Sequence, residues 1–100
     1  MKKKILQQAF EELIDAIAYY EEEQAGLWLR LKDEFDQHVK WILSNPTVPR
    51  IRSGGYRRVN LKIFPYYIPY IIRKETLWIL AFAHSHRKPN YWIKRKSEIS

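Results

Sequence analysis

The sequence predicts an α+β domain: an N-terminal strand, then an antiparallel helical hairpin packed on a mainly antiparallel sheet of about four strands. Three observations carry this prediction. From Gln8 to Ser44 apolar residues recur at spacings of three and four, the period of a helix with one buried face. From Arg57 onward the period drops to two, that of a strand. Between the two regimes lies a stretch with Pro46, Pro49 and Gly54-Gly55, residues that punctuate structure.

Lys2 to Leu6 reads as a short strand. The first helix follows, with Phe10, Leu13, Ile14, Ile17 and Tyr20 on one side and Glu11, Glu12, Asp15 and Glu22 on the other. Glu21-Glu22-Glu23 sits at the end where the helix dipole disfavours carboxylates, so this end is expected to fray or to find cations. Gly26 permits the chain to reverse. A second stripe, Trp28, Leu31, Phe35, Val39 and Ile42, marks the second helix, which Ser44-Asn45-Pro46 stops. Tyr19-Tyr20 is expected to pack the hairpin, and His38 to be structural.

Thr47 to Tyr56 is a loop. In the strand Arg57–Ile63, Val59, Leu61 and Ile63 share a face, opposite Arg58, Asn60 and Lys62. Tyr66 to Arg73 is the next strand. Its Pro69 removes a ladder donor and predicts a bulge or a locally unpaired edge. Lys74-Glu75 is a tight turn, and Leu77 to Ala83, apolar at both parities, reads as a central strand. All of residues 1–100 form one domain, with residues 93–100 a basic tail free to flex.

Composition bounds the function. Apolar residues at 46% exclude disorder, and the absence of cysteine excludes disulfides and thiolate metal sites. Met1-Lys2-Lys3-Lys4 starts like a signal peptide, yet only Ile5-Leu6 follows before Gln7-Gln8, and no run is long enough to span a membrane. A cytoplasmic protein without membrane contact is expected. The net charge of +7 is uneven: residues 1–45 sum to −3 and residues 46–100 to +10. A half that basic attracts a polyanion or an acidic protein segment.

Three stretches, A-I-A-Y-Y-E-E-E, R-R-V-N-L-K-I-F-P-Y-Y-I-P-Y and I-L-A-F-A-H-S-H-R-K-P-N-Y-W, resemble the RelE/ParE superfamily of type II toxin–antitoxin toxins. The resemblance runs from Ala16 to Trp92. It is specific in the ordered set Arg57-Arg58, Phe64-Pro65-Tyr66, Tyr70, Ile79-Leu80-Ala81, His84, Arg87, Pro89 and Tyr91-Trp92. It implies a toxin neutralised by a small cognate antitoxin, from modules of the kind that stabilise plasmids. RelE-like members cut mRNA on the ribosome without a metal; ParE-like members poison DNA gyrase and catalyse nothing themselves. Neither activity calls for a cofactor.

Metal-free RNA cleavage needs a base for the 2′-OH, cations for the phosphorane and an acid for the leaving oxygen. His84, Arg87, Tyr91, Arg58 and Lys62 are the candidates. Against them stands Tyr67, at the position where RelE-type nucleases resemble one another in carrying an arginine. A stabiliser of that kind is worth about 3–4 kcal/mol to a transition state. The preferred expectation is therefore ParE-like and non-enzymatic, with gyrase as target and Arg58, Asn60, Lys62, His84, His86, Arg87, Tyr91 and Trp92 as the surface for target and antitoxin. The alternatives are the ribonuclease, with ribosome and mRNA as partners, and an inactive homologue that only binds antitoxin.

Of the remaining residues, His84 and His86 share strand parity, the spacing of a metal pair, but no carboxylate is near in sequence and no metal site is expected. His86 stands where the family commonly carries arginine, which makes it a weaker, pH-dependent cation. Arg57 is expected at the sheet margin, pairing with the acidic helices, and Lys94-Arg95-Lys96 is read as a solvated tail.

Overall fold

The computed structural model describes residues 1–99, the side chain of Asn90 excepted. The element order is β1 (Lys2–Ile5), α1 (Gln7–Glu23), α2 (Leu27–Ser44), β2 (Arg57–Asn60), β3 (Tyr66–Arg73), β4 (Thr76–Ile79) and β5 (Ala83–His84), then two 3-10 turns, Pro89–Tyr91 and Ile93–Glu98. The sheet runs β1-β4-β3-β2, with β5 beside the first residues of β3. Only β1 is parallel to its neighbour, pairing Lys2 to Thr76 through Ile5 to Ile79. The remaining ladders are antiparallel, as the α+β reading of the sequence anticipates.

Strand alternation divides β3 between two layers. Tyr66, Ile68 and Tyr70 face the hairpin: Tyr66 stacks on Phe82 and meets Tyr20 edge-on, and the Tyr70 hydroxyl donates to the Pro46 carbonyl after α2. Tyr67 and Arg73 face the C-terminal turns. The Trp92 indole N–H donates to the Tyr67 hydroxyl at 2.9 Å, and Arg73 Nη1 donates to the carbonyls of Lys96 and Ile99. Residues 93–99, expected as a free basic tail, are thus part of a third layer, with Trp92 and Ile99 buried. Burying the Trp92 indole of about 200 Å² at about 25 cal/mol per Å² contributes roughly 5 kcal/mol before entropy and fixes where the segment starts, while Arg73 and the buried Ile99 hold its end. Gly54 marks how closely it docks: its φ of +100° and its contact with the Ile93 side chain leave no room for a Cβ.

Several sequence expectations are corrected. On α1 the buried face is Ala9, Leu13 and Ala16, while Phe10 and Ile14 are 45% exposed. The helix thus turns its smaller residues inward, toward the core. At the end of α1, Glu21 finds no cation; its carboxylate accepts the Gly26 N–H at 2.8 Å, at the start of α2, where the dipole favours negative charge. Tyr20 packs on Phe64 and Tyr66, but Tyr19 is 56% exposed.

Strand β2 ends at Asn60 instead of Ile63, and Ile63 is exposed. The reason is Glu34. Buried on the apolar stripe of α2, its carboxylate accepts the amides of Lys62, Ile63 and Phe64 at 2.6 to 3.3 Å. Those amides therefore bond a helix, and no strand forms there.

The expected strand Leu77–Ala83 is split into β4 and β5. Pro69 causes the break. Its carbonyl accepts the Leu80 N–H, so its nitrogen, on the same side of the strand, also faces the break and has no hydrogen to give. Phe82 turns its N–H to Glu12 instead. The expected local unpairing at Pro69 is therefore present, inside the sheet and not at its rim. Lys74 and Glu75, both with positive φ, form the two-residue turn from β3 to β4.

Candidate functional site

Two concavities are candidates. The first is a groove of about 810 Å³ between α2 and the outer strand β2, lined by Arg30, His38, Trp41, Asn60, Lys62 and Ile63 among others. Trp41 is 43% and Ile63 63% exposed, so apolar surface lies open along it. Asn60 and Lys62 belong to this groove because the Glu34 carboxylate pins the chain after β2 against α2. His38 Nδ1 lies 2.8 Å from the Glu34 carbonyl one turn back, a bond internal to the helix.

The second is a cleft of about 460 Å³ where α1, β3, β5 and the first 3-10 turn meet. Tyr19, Tyr66 and Phe82 form its aromatic wall; His84, Arg87 and Tyr91 form the other side, with Glu12 and Asp15 at the helix. The break after β4 and the turn at Pro89 bring these groups together. Arg87 lies over the Tyr91 ring at 4.3 Å and Arg95 approaches the same ring at 5.4 Å.

One charge of the cleft, the Glu12 carboxylate, is committed within the fold. Arg95 grips both Glu12 oxygens at 3.0 Å, and one of those oxygens also accepts the Phe82 N–H. Burial first, then the Glu12 carboxylate, push the Tyr91 hydroxyl up to about 12, against the pull of Arg87 and Arg95. At neutral pH it is a fixed donor, far from the range in which a side chain shuttles protons well. His84 Nδ1 accepts the His86 N–H at 3.3 Å, which leaves Nε2 as its free ring nitrogen. The two imidazole centroids are 5.3 Å apart, and among the described residues no three His, Asp or Glu side chains converge as metal ligands.

The sequence-derived residues are therefore divided. His84, Arg87 and Tyr91 share the cleft; Asn60 and Lys62 line the groove. Arg58 belongs to neither. It is half-buried, its guanidinium lies over the Tyr67 ring at 4.4 Å, and its buried Nε has no partner among the described residues. His86 is exposed beside His84, and Trp92 is wholly buried, an anchor and not a contact surface. Among the described residues Arg57 meets no acid; its Nη1 donates to the carbonyls of Thr47 and Pro49. Tyr67 is 1% exposed, its hydroxyl donating to the Arg87 carbonyl while accepting from Trp92. A guanidinium at position 67 would be buried beneath Trp92, so the neutral residue there suits the layer above it.

Three participants were missed from sequence. Glu34 carried a readable signal, a carboxylate within the apolar stripe of Leu31, Phe35 and Val39. Glu12, at the margin of its stripe, and Arg95, inside a basic run, carried none that sets them apart from solvated neighbours.

The comparisons with known proteins agree with this architecture. The family described as the ParE toxin of type II toxin-antitoxin system, parDE, matches residues 4–89. Among solved structures, a chain of the chromosomal ParDE TA system from P. aeruginosa superposes with a TM-score of 0.74 at 19% identity, covering 84% of this chain and 95% of that one. This likeness is one of fold. No curated protein matches the sequence significantly.

Proposed function

The chain belongs to the ParE toxin family of type II toxin–antitoxin systems, and from that premise we propose that it inhibits DNA gyrase by contact, without cutting nucleic acid. What supports this reading most is the dispersal of the nuclease candidates. His84, Arg87 and Tyr91 lie in one cleft, Lys62 in another concavity, and Arg58 over the uncharged ring of Tyr67. General acid–base cleavage of RNA needs such groups around one phosphate.

A cognate antitoxin silences the toxin by occupying the groove between α2 and β2. The outer edge of β2 is available to an added strand, and Trp41 and Ile63 offer apolar surface beside it. No helix of the described chain is long and apolar enough to cross a membrane, consistent with action in the cytoplasm.

The test is direct. Purified protein should abolish supercoiling by gyrase at micromolar concentration and leave message on translating ribosomes intact. Unaffected supercoiling together with cut message would refute the proposal. The second reading, a ribosome-dependent nuclease, draws on the clustering of His84, Arg87 and Tyr91. It requires that alanine at any of the three stop cleavage in a folded protein.

A further inference from the structure

Away from both concavities, three arginines stand together unneutralised. Arg57, Arg73 and Arg95 are each used within the fold, by loop carbonyls, by tail carbonyls and by Glu12. Arg50, Arg52 and Arg58 are not paired with any carboxylate: among the described residues the ion pairs are Lys32–Asp36 and Arg95–Glu12. The loop after α2 and the start of β2 hold the three in one region. An Arg52–Tyr56 bridge closes the loop tip through Gly54-Gly55, and Arg58 follows two residues later, flat on Tyr67 with its Nε unsatisfied. Burial first, then the nearby charges of Arg58 and Arg50, lower the pKa of Arg52. Lys96 joins the same loop through the Gly54 carbonyl.

Part of the loop stays open although its tip meets Ile93 and Lys96. Val48 is 67% and Ile51 61% exposed, and Ile51 stands between Arg50 and Arg52. Cations alone would suit any polyanion. The exposed Val48 and Ile51 of the same loop add apolar surface that a peptide's apolar side chains can cover and a phosphate backbone cannot.

We propose that Arg50, Arg52 and Arg58, with Val48 and Ile51 between and beside them, form a docking site for an acidic protein segment that carries apolar side chains among its carboxylates. Guanidinium forks bind carboxylates through paired hydrogen bonds, and among the described residues no carboxylate of the fold pairs with Arg50, Arg52 or Arg58. The +10 balance of residues 46–100 draws such a segment in over the Debye length. Arg50 and Arg52 line neither concavity, Arg58 shares β2 with the proposed antitoxin edge, and the site does not depend on gyrase being the target.

The test begins with a library of random displayed peptides panned on the purified protein and counter-selected on its R50A/R52A variant. Recovered peptides should be rich in Asp and Glu interleaved with Leu, Ile, Val or Phe. One of them, made synthetically, should lose about tenfold or more in affinity with R50A/R52A and several-fold with I51S. Higher salt should weaken its binding to the unmodified protein more than to R50A/R52A. Matching thermal unfolding of both variants and the parent confirms that the loop changes leave the fold intact. Peptides without acidic enrichment, or with equal affinity for parent and both variants, overturn the proposal. So does a short DNA duplex that displaces the peptide and binds through Arg50 and Arg52 with no dependence on Ile51, since that marks a nucleic-acid surface. Gyrase inhibition by the same variants is a separate readout, so the two proposals fail independently.

Discussion

The Arg95 guanidinium closes on the Glu12 carboxylate through two hydrogen bonds of 3.0 Å, joining the C-terminal turn to α1 past the end of β1. The side chains are 14% and 24% exposed, so the pair is screened far less than Lys32–Asp36, whose side chains are 50% and 53% exposed. Arg95 also donates to the Leu80 carbonyl, and Glu12 accepts from Phe82, so both partners satisfy backbone left open by the break between β4 and β5. Replacing Arg95 by Met should therefore cost about 2–3 kcal/mol, more than a surface ion pair is worth. A double-mutant cycle with Glu12→Gln in urea should return a coupling energy of about 1 kcal/mol or more. Additive effects would mean that the contact only looks structural.

Glu34 makes a comparable junction at the other end of the molecule. Three backbone amides, those of Lys62, Ile63 and Phe64, converge on its buried carboxylate. Glu34→Gln keeps the shape but removes the charge and puts an amide NH₂ where only acceptors fit. A loss of about 2 kcal/mol is expected, and for a domain of this size each kcal/mol lowers Tm by roughly 4–8 °C. Calorimetry against Asp33→Asn, an exposed change one residue earlier, checks it. Because Lys62 hangs from this junction, Glu34→Gln should also weaken antitoxin binding at temperatures where the protein is still folded.

The sequence was legible where side-chain size and period agree. Strand β3 shows its bounds, Tyr66 to Arg73, through a run of aromatic and β-branched residues interrupted at Pro69 and ended by the Lys74-Glu75 turn. It was illegible where one side chain redirects the backbone of another segment. Nothing local to Lys62-Ile63-Phe64 announces that a carboxylate from α2 will take their amides. The face of α1 was misread because Phe10 and Ile14 outweigh Ala9 and Ala16 in any hydrophobic count, although it is the smaller pair that is buried. The cleft was read in part. His84, Arg87 and Tyr91 are close in sequence and remain close in space, whereas their partners on α1 enter from seventy or more residues away.

Alkaline pH should act through the tyrosines. Burial pushes the hydroxyls of Tyr70 and Tyr91 up to about 12 and raises those of Tyr20, Tyr66 and Tyr67. A group whose pKa is higher folded than unfolded favours the fold fully below its unfolded value, here 10.0, and loses that contribution as pH rises through the folded value. Stability should thus be flat below about pH 9.5 and fall between about 10 and 12. Tyr70→Phe removes one ionisation and should make that fall shallower, although it also loses the bond to the Pro46 carbonyl and is less stable at neutral pH. Urea titrations at several pH values would show it, and a fall no shallower in the variant would contradict it.

The position of Tyr67 allows the choice between contact and catalysis to be tested by adding a charge. Its ring is 1% exposed, covered on one side by Arg58, and its hydroxyl bridges the Trp92 indole and the Arg87 carbonyl. Tyr67→Phe should cost about 1–3 kcal/mol, the expense of leaving the buried Trp92 N–H without an acceptor. Tyr67→Arg should cost more, about 3–5 kcal/mol, since it places a second guanidinium beside Arg58 in a space closed by Trp92. If the layer were a nuclease face lacking a single cation, Tyr67→Arg should instead restore cleavage of ribosome-bound message without unfolding the protein. The structure favours the first outcome, because the space an active arginine would need for substrate is filled by the chain's own C-terminal turns. Thermal unfolding and a message-cleavage assay on Tyr67→Phe and Tyr67→Arg, run side by side, separate the two cases.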